Sequence, residues 1–272
     1  MNKAIYRPSG KAKEYSRWAC NLYVGCSNDC SYCYCKRGVL KDVMGSSKAT
    51  LKACFKDVSD AFAVFMKELL ANRDDIVREG GLLFSFSTDP CLPETIEMTM
   101  LCVNFATGVG VPCHILTKCA GWVNSGSNEL DSVIAIRDLV SVGFTLTGHD
   151  EMEPGASTNV ERVAALKRLH DAGVRTFASV EPVVTFEAAV GCVRASLPYC
   201  DHYKIGLMSG AGDVYGKYRM PGDLEAFVGE VNGLAEGAGK TVYWKKSVIQ
   251  AIGHEISGPC CVSDDFDMFH DF

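Results

Sequence analysis

Short apolar runs alternate with amphipathic stretches along most of the chain. Apolar residues cluster over 18–24, 82–86, 111–116, 143–146, 174–180 and 201–207. Each run is about the length of a strand. Between them, apolar positions recur at helical spacing. Val58, Phe62, Phe65, Leu69 and Leu70 predict a helix over 58–77, closed by Gly80-Gly81. Pro93 and Glu94 open a second helix to about 107, since proline suits a first turn and an acid suits the positive helix end. Further helices are predicted over 128–139, 186–195 and 224–234. Thr158-Asn159-Val160-Glu161 has the form of a capping box and starts another, stopped by Gly173. Thr241 to Trp244 forms a short seventh strand-like segment.

Strands that are apolar almost throughout must be covered on both faces, which describes a parallel sheet with helices outside it. The pattern therefore gives an α/β fold in one domain over 18–246. An extended lead-in over 1–17 precedes it, and a C-terminal helix and acidic tail over 247–272 follow. The tail reads as a loose end or a flap packed back on the body. No G-x-G-x-x-G follows a strand, which argues against a dinucleotide fold.

Composition narrows the setting. A hydrophobic fraction of 47% and a charged fraction of 22% are ordinary for a globular chain. The net charge of −6 provides no overall basic field for nucleic acid. Fourteen cysteines in 272 residues, with a polar N-terminus and no run of membrane-spanning length, indicate a reducing cytoplasm rather than a disulfide scaffold. Most of these cysteines, including Cys54, Cys102, Cys113, Cys192 and Cys200, read as buried thiols among apolar neighbours.

Three of the cysteines stand apart. Cys26, Cys30 and Cys33 have the spacing C-x3-C-x2-C within Gly25-Cys26-Ser27-Asn28-Asp29-Cys30-Ser31-Tyr32-Cys33-Tyr34. Thiolates are soft ligands, and three on one loop can face a common centre. A structural zinc needs a fourth protein ligand, for which Cys20 or Cys35 is available. A [4Fe–4S] cluster on three thiolates keeps one iron open to an outside ligand. Lys36, Arg37 and Lys41 follow the loop and either offset cluster charge or are simply solvated.

The motif, with Tyr32 before its third cysteine, resembles the radical S-adenosylmethionine family. The string from Asn21 to Tyr34 is similar to the spore photoproduct lyase and photolyase-like branch, as are Thr88-Asp89-Pro90 with Pro93 and Glu94, Thr117-Lys118, Glu153-Pro154-Gly155 and Ala172-Gly173-Val174. The resemblance implies a partial (β/α)6 barrel of the TIM type, with parallel strands and outer helices. In such barrels reactive groups gather at the C-terminal strand ends. Ser87, Thr88, Asp89, Thr117, Lys118, Thr145, Thr147, Ser179, Glu181 and Lys204 lie on or leave the successive strands.

The same resemblance implies that Cys26, Cys30 and Cys33 hold a [4Fe–4S] cluster whose open iron takes S-adenosylmethionine. It puts Ser87, Thr88 and Asp89 near the methionine amino group and Tyr32 near the adenine, although the glycines of the family's corresponding element are missing here. Thr117, Lys118, Thr147, Ser179 and Glu181 are further cofactor candidates; Glu181 alternatively pairs with Lys204 or Lys118. The implied chemistry is reductive cleavage of the sulfonium to a 5′-deoxyadenosyl radical that takes hydrogen from an unidentified substrate, with a reductant such as flavodoxin or ferredoxin. Two rival readings are a DNA lesion lyase like spore photoproduct lyase, with Cys91 as hydrogen donor, and a non-catalytic iron–sulfur or zinc sensor. A structural role is expected for Cys260-Cys261 and for the six histidines, which form no H-x-H or H-x-x-x-H pair. Trp244-Lys245-Lys246-Ser247 reads as a solvated helix start.

Overall fold

The computed structural model describes residues 4–38, 41–208 and 223–271. Residues 1–3 of the lead-in and Phe272 of the tail lie outside them. The strands are β1 (Ile5–Tyr6), β2 (Ala19–Cys20), β3 (Tyr23–Val24), β4 (Thr50–Leu51), β5 (Leu82–Phe84), β6 (Cys113–Thr117), β7 (Val140–Thr145), β8 (Arg175–Val183), β9 (His202–Leu207) and β10 (Thr241–Trp244). The helices are α1 (Lys41–Met44), α2 (Val58–Arg78), α3 (Ile96–Gly108), α4 (Gly121–Asn124), α5 (Asn128–Ala135), α6 (Asn159–Asp171), α7 (Phe186–Ser196), α8 (Asp223–Gly237) and α9 (Lys246–Ile252).

The main sheet runs β1-β2-β5-β6-β7-β8-β9-β10. Every neighbouring pair is parallel except β1 with β2. This is a mostly parallel sheet with helices around it, as the alternation predicts. It carries seven parallel strands rather than six, because Thr241–Trp244 pairs in register with β9 as a full member. The predicted stripe on α2 is buried only in part: Phe65 and Leu69 are buried, Phe62 is half-buried, and Val58 and Leu70 are exposed, because the buried face runs through Ala61, Phe65, Leu69 and Ile76. Asp57 caps the helix by accepting from the Asp60 amide at 2.8 Å. The capping box at Thr158 and Glu161 is present.

Three boundaries differ for identifiable reasons. The first apolar run is two strands, not one. At its centre Asn21 turns inward, accepting from the Phe86 amide at 2.7 Å and donating to the Tyr6 hydroxyl at 2.7 Å. β3 therefore leaves the main sheet and pairs with β4 instead. β7 begins at Val140, earlier than predicted. Its Ser141, polar in an apolar run, is fully buried against His114 Nδ1 at 2.7 Å. The lead-in is not simply extended. It contributes β1, anchored where Glu68 of α2 accepts from the Ala4 and Ile5 amides, and then a 3₁₀ turn over Gly10–Glu14.

Residues 7–18, between β1 and β2, enter the barrel. Glu14 is 4% exposed and accepts from the Lys246 amide at 2.7 Å and the Tyr243 hydroxyl at 3.2 Å. The segment lies between two cavities, and Ser9 and Tyr15 line both of them. A cavity of about 500 Å³ opens at the C-terminal ends of the strands, and one of about 1160 Å³ at their N-terminal ends. The tail forms the packed-back flap and lines the lower cavity. Val242 bridges to Cys261, the Phe266 ring lies 5.0 Å from His202, and the Phe269 ring lies 5.2 Å from His114. No helix among the described residues is long and apolar enough to cross a membrane.

Candidate active site

The cysteine loop is inserted between β3 and β4. Gly25 starts it at φ +81°, and a side chain there would meet Lys48 O at 2.3 Å. The Cys26 amide donates to Ser46 O at 2.9 Å. The segment after β7 then clamps the loop from the other side. The Ser31 amide donates to Met152 O at 2.9 Å, and the Gly155 amide to Asn28 O at 3.0 Å. A Cβ on Gly155 would lie 2.0 Å from Ser27 O, so only glycine permits this approach.

Two carboxylates fasten the loop to the barrel. Asp89 is 7% exposed and is bonded on both oxygens. Its Oδ1 accepts from Thr117 Oγ1 at 2.6 Å and the Cys91 amide at 2.9 Å; its Oδ2 accepts from Asn28 Nδ2 and the Lys118 amide, both at 2.7 Å. It joins the cysteine loop to the exits of β5 and β6. Glu153 is the second fastener. It pairs with the fully buried Arg162 at 2.7 Å and accepts from Thr147 Oγ1 at 3.1 Å and from the Tyr32 hydroxyl. Burial, followed by the Glu153 charge, raises the Tyr32 pKa well above its usual value, so the phenol remains a donor.

Cys26, Cys30 and Cys33 line the upper cavity together with Tyr32. Ser87, Thr88, Asp89, Thr117, Lys118 and Glu181 line it too. Thr147 and Ser179 are buried outside its wall, Thr147 as a support for Glu153 and Ser179 as a partner of Tyr15. Cys91 also lies outside it, packed in the apolar core at 4% exposure with its thiol pKa pushed well up by burial. Ser87 Oγ is engaged by Tyr23 O at 2.5 Å. Thr88 Oγ1, by contrast, is buried without a partner. Of the predicted polar candidates, Thr88 thus keeps a hydroxyl for a ligand, while Asp89 and Ser87 are committed to the protein.

The thiols differ electrostatically. A hydrogen bond from Cys35 pulls the Cys33 pKa down to about 6, against burial and with help from Lys118 and Lys36. Burial pushes Cys26 up to about 12 and raises Cys30 as well. The Lys118 ammonium lies 5.7 Å from the Tyr32 ring centroid. Burial works against its charge, but Cys30 and Glu153 outweigh that and raise its pKa. Among the described residues no group of His, Cys, Asp and Glu converges as a single-ion site. Cys54, expected as a buried thiol, is exposed.

The opposite wall holds what the sequence did not reveal. Lys245 is not a solvated helix start: it is 1% exposed and pairs with Glu181 at 2.6 Å. Its ammonium lies 4.1 Å from the Tyr15 ring centroid. The Tyr15 hydroxyl donates to Glu181 Oε2 and lies 2.6 Å from Ser179 Oγ. Glu181 therefore pairs with neither Lys204 nor Lys118. Lys204 instead donates to the Glu14 and Tyr15 carbonyls, at 3.2 and 3.4 Å.

The chain superposes on solved radical S-adenosylmethionine enzymes. Spore photoproduct lyase complexed with dinucleoside spore photoproduct matches with a TM-score of 0.63 at 13% identity, over 88% of this chain and 78% of that one. A mutant of the lyase with bound AdoMet and the dinucleoside gives 0.61 at 14% identity, over 86% and 78%. The fold is the radical S-adenosylmethionine partial barrel. SuiB of Streptococcus suis, bound to S-adenosylmethionine, matches at 0.56 and 12% identity over 88% of this chain, which spans about half (53%) of SuiB. No protein-family model matches the sequence, and no curated protein sequence matches it. On this barrel, the upper cavity lies at the strand ends where the fold places its chemistry.

Proposed function

We propose that the protein is a radical S-adenosylmethionine enzyme. One observation carries the reading: the C-x3-C-x2-C cysteines wall the cavity at the C-terminal mouth of a barrel shared with S-adenosylmethionine-bound enzymes. The donor set fits. Three thiols on one loop suit an iron–sulfur cluster, and ligation would displace the protons held on Cys26 and Cys30. Thr88 Oγ1 supplies an uncommitted hydroxyl at the cavity wall. A cavity of about 500 Å³ is of small-ligand size.

Cys26, Cys30 and Cys33 would hold a [4Fe–4S] cluster, which supplies one electron to break the carbon–sulfur bond of S-adenosylmethionine and so yields the radical that takes hydrogen from the substrate. The protein's own residues do the positioning. Asp89 and Glu153 fix the cysteine loop against the strand ends. Lys118 adds positive charge beside Cys30. Tyr15, Glu181 and Lys245 hold the floor of the chamber closed toward the lower cavity. Cys91 is buried in the core and does not line the chamber, which weighs against it as the hydrogen donor of the lesion-lyase reading.

Anaerobic reconstitution with iron and sulfide, followed by dithionite and S-adenosylmethionine, tests the reading. The expected product is 5′-deoxyadenosine, absent when Cys30 is replaced by alanine and retained in Cys91→Ala. A loaded protein that yields none is a sensor, and the enzyme reading then fails.

A further inference from the structure

The lower cavity, of about 1160 Å³, has no part in the reading above, yet it has ample room for a small ligand. Lys204 of β9 lines it and does not line the upper cavity. The Lys204 ammonium is in no ion pair among the described residues. Its hydrogen bonds go to the Glu14 and Tyr15 carbonyls, at 3.2 and 3.4 Å, and the Tyr15 and Tyr243 rings lie 5.8 and 5.4 Å away. Burial and the Lys245 charge work against its proton, while Glu14 and Asp264 favour it from a distance without pairing. The neighbouring imidazoles, His114 and His202, are held neutral by burial. A cation drawn into a cavity wall without a paired counter-charge favours an anion in that cavity.

The charges around the cavity divide by segment. The barrel and its lead-in contribute Arg7, Lys13, Arg17, Arg78 and Lys204 against Glu79, five cations to one acid. Arg7 is taken by Glu79 and Arg78 by Asp75. Lys13 is exposed on the 3₁₀ turn, and Arg17 has Asp264 at 3.3 Å as its single ion-pair partner among the described residues. The opposite charge comes from the tail, as Asp264, Asp265, Asp267 and Asp271. The tail is rooted on β10, where the Val242 amide donates to Cys260 O at 2.8 Å and the Val262 amide to Val242 O at 3.0 Å. Its Phe266 and Phe269 rings pack on His202 and His114. The Arg17–Asp264 pair, by contrast, is about one-third exposed on both sides (31% and 35%), and such pairs are weak. Asp264 can therefore yield its place while the rest of the tail stays seated.

We propose that the lower cavity binds a small oxyanion, a phosphate or carboxylate compound, with Lys204 and Arg17 as its cations and Asp264 standing in for it when it is absent. Asp264 is the carboxylate that acts on both cations, by pairing with Arg17 and by favouring the charge of Lys204. A metal ion is the other ligand that four tail acids could suggest, but no group of His, Cys, Asp and Glu converges on one among the described residues.

The test is calorimetry on the full-length protein at low salt, with inorganic phosphate and tricarballylate as separate probes. At least one should bind, and Lys204→Met and Arg17→Gln should each weaken it about tenfold or more. Asp264→Asn removes the stand-in and should tighten binding about threefold or more. The probe that binds more tightly assigns the ligand to the phosphate or the carboxylate kind. Protons give a second readout, because the Lys204 pKa is lowered to about 8. An anion beside the ammonium favours its charged form, so at about pH 8 the wild type should take up about half a proton more on binding than Lys204→Met does, measured in two buffers of different ionisation enthalpy. If Lys204→Met does not fold, Arg17→Gln and Asp264→Asn, both at the cavity rim, carry the test. Binding that neither Lys204→Met nor Arg17→Gln weakens, or that takes up no extra proton in the wild type, is a surface encounter and overturns the site. Absence of binding of both probes to wild type and to Asp264→Asn overturns it as well. None of these readouts involves iron or S-adenosylmethionine, so the site stands or falls independently of the proposed function.

Discussion

Replacing Asp89 by alanine should damage the protein before any cofactor is added. The carboxylate accepts four hydrogen bonds, from Thr117, the Cys91 amide, Asn28 and the Lys118 amide. Bonds to a charged group contribute about 1.5–3 kcal/mol each, and an orphaned buried donor costs about 1–3 kcal/mol. Bonds that share one acceptor are not additive, so we expect a loss of about 4 kcal/mol, a large part of the roughly 5–15 kcal/mol that holds a domain together. With a urea slope of about 2–3 kcal/mol/M, the unfolding midpoint should fall by about 1.3–2 M. Asn28→Ala removes only the link to the cysteine loop. It should cost less stability but lower iron stoichiometry after reconstitution. Urea unfolding followed by circular dichroism, with iron and sulfide assays alongside, measures both. An Asp89→Ala protein with an unmoved midpoint and full iron content, but weakened S-adenosylmethionine binding, would show that Asp89 is a ligand contact and not a fastener.

Other outcomes follow from the buried charges and close approaches. Lys245→Met leaves Glu181 and Glu14 without their cation and should cost about 3–5 kcal/mol; adding Glu181→Leu should restore part of the loss, which a double-mutant cycle in urea would quantify. Burial, together with Lys245, lowers the Lys204 pKa to about 8. The unfolded chain therefore binds more protons between about pH 8 and 10.4, stability should rise with pH across that window, and Lys204→Met should flatten the rise in pH-dependent denaturation curves. Gly155→Ala forces a side chain into Ser27 O and should loosen the cysteine loop, seen as faster cluster loss to a chelator at nearly unchanged helix content.

The strands and helices were legible because apolar periodicity and caps are local. The β6–β7 pair shows the limit: Ser141 is polar in the sequence yet fully buried, because its partner His114 comes from the neighbouring strand. The cysteine motif was legible because its ligands lie within eight consecutive residues. The floor of the chamber was not. Tyr15, Glu181 and Lys245 lie 64 to 230 positions apart, and their pairing exists only once the β1–β2 loop has entered the barrel. Lys245 looked like any surface lysine because neighbouring residues do not reveal that it is enclosed. Asp89 was placed correctly at a strand exit, but its four donors come from three separate segments, so its commitment to the scaffold could be seen only in three dimensions.

The β1–β2 loop gives the barrel a partition, and the partition belongs to the least sheet-like part of the chain. Here, removing residues 7–18 would join the two cavities into one passage from the cysteines to the acidic tail. The upper cavity would then be open to bulk solvent from below. What looks like a dispensable segment is, in engineering terms, the bulkhead of the barrel.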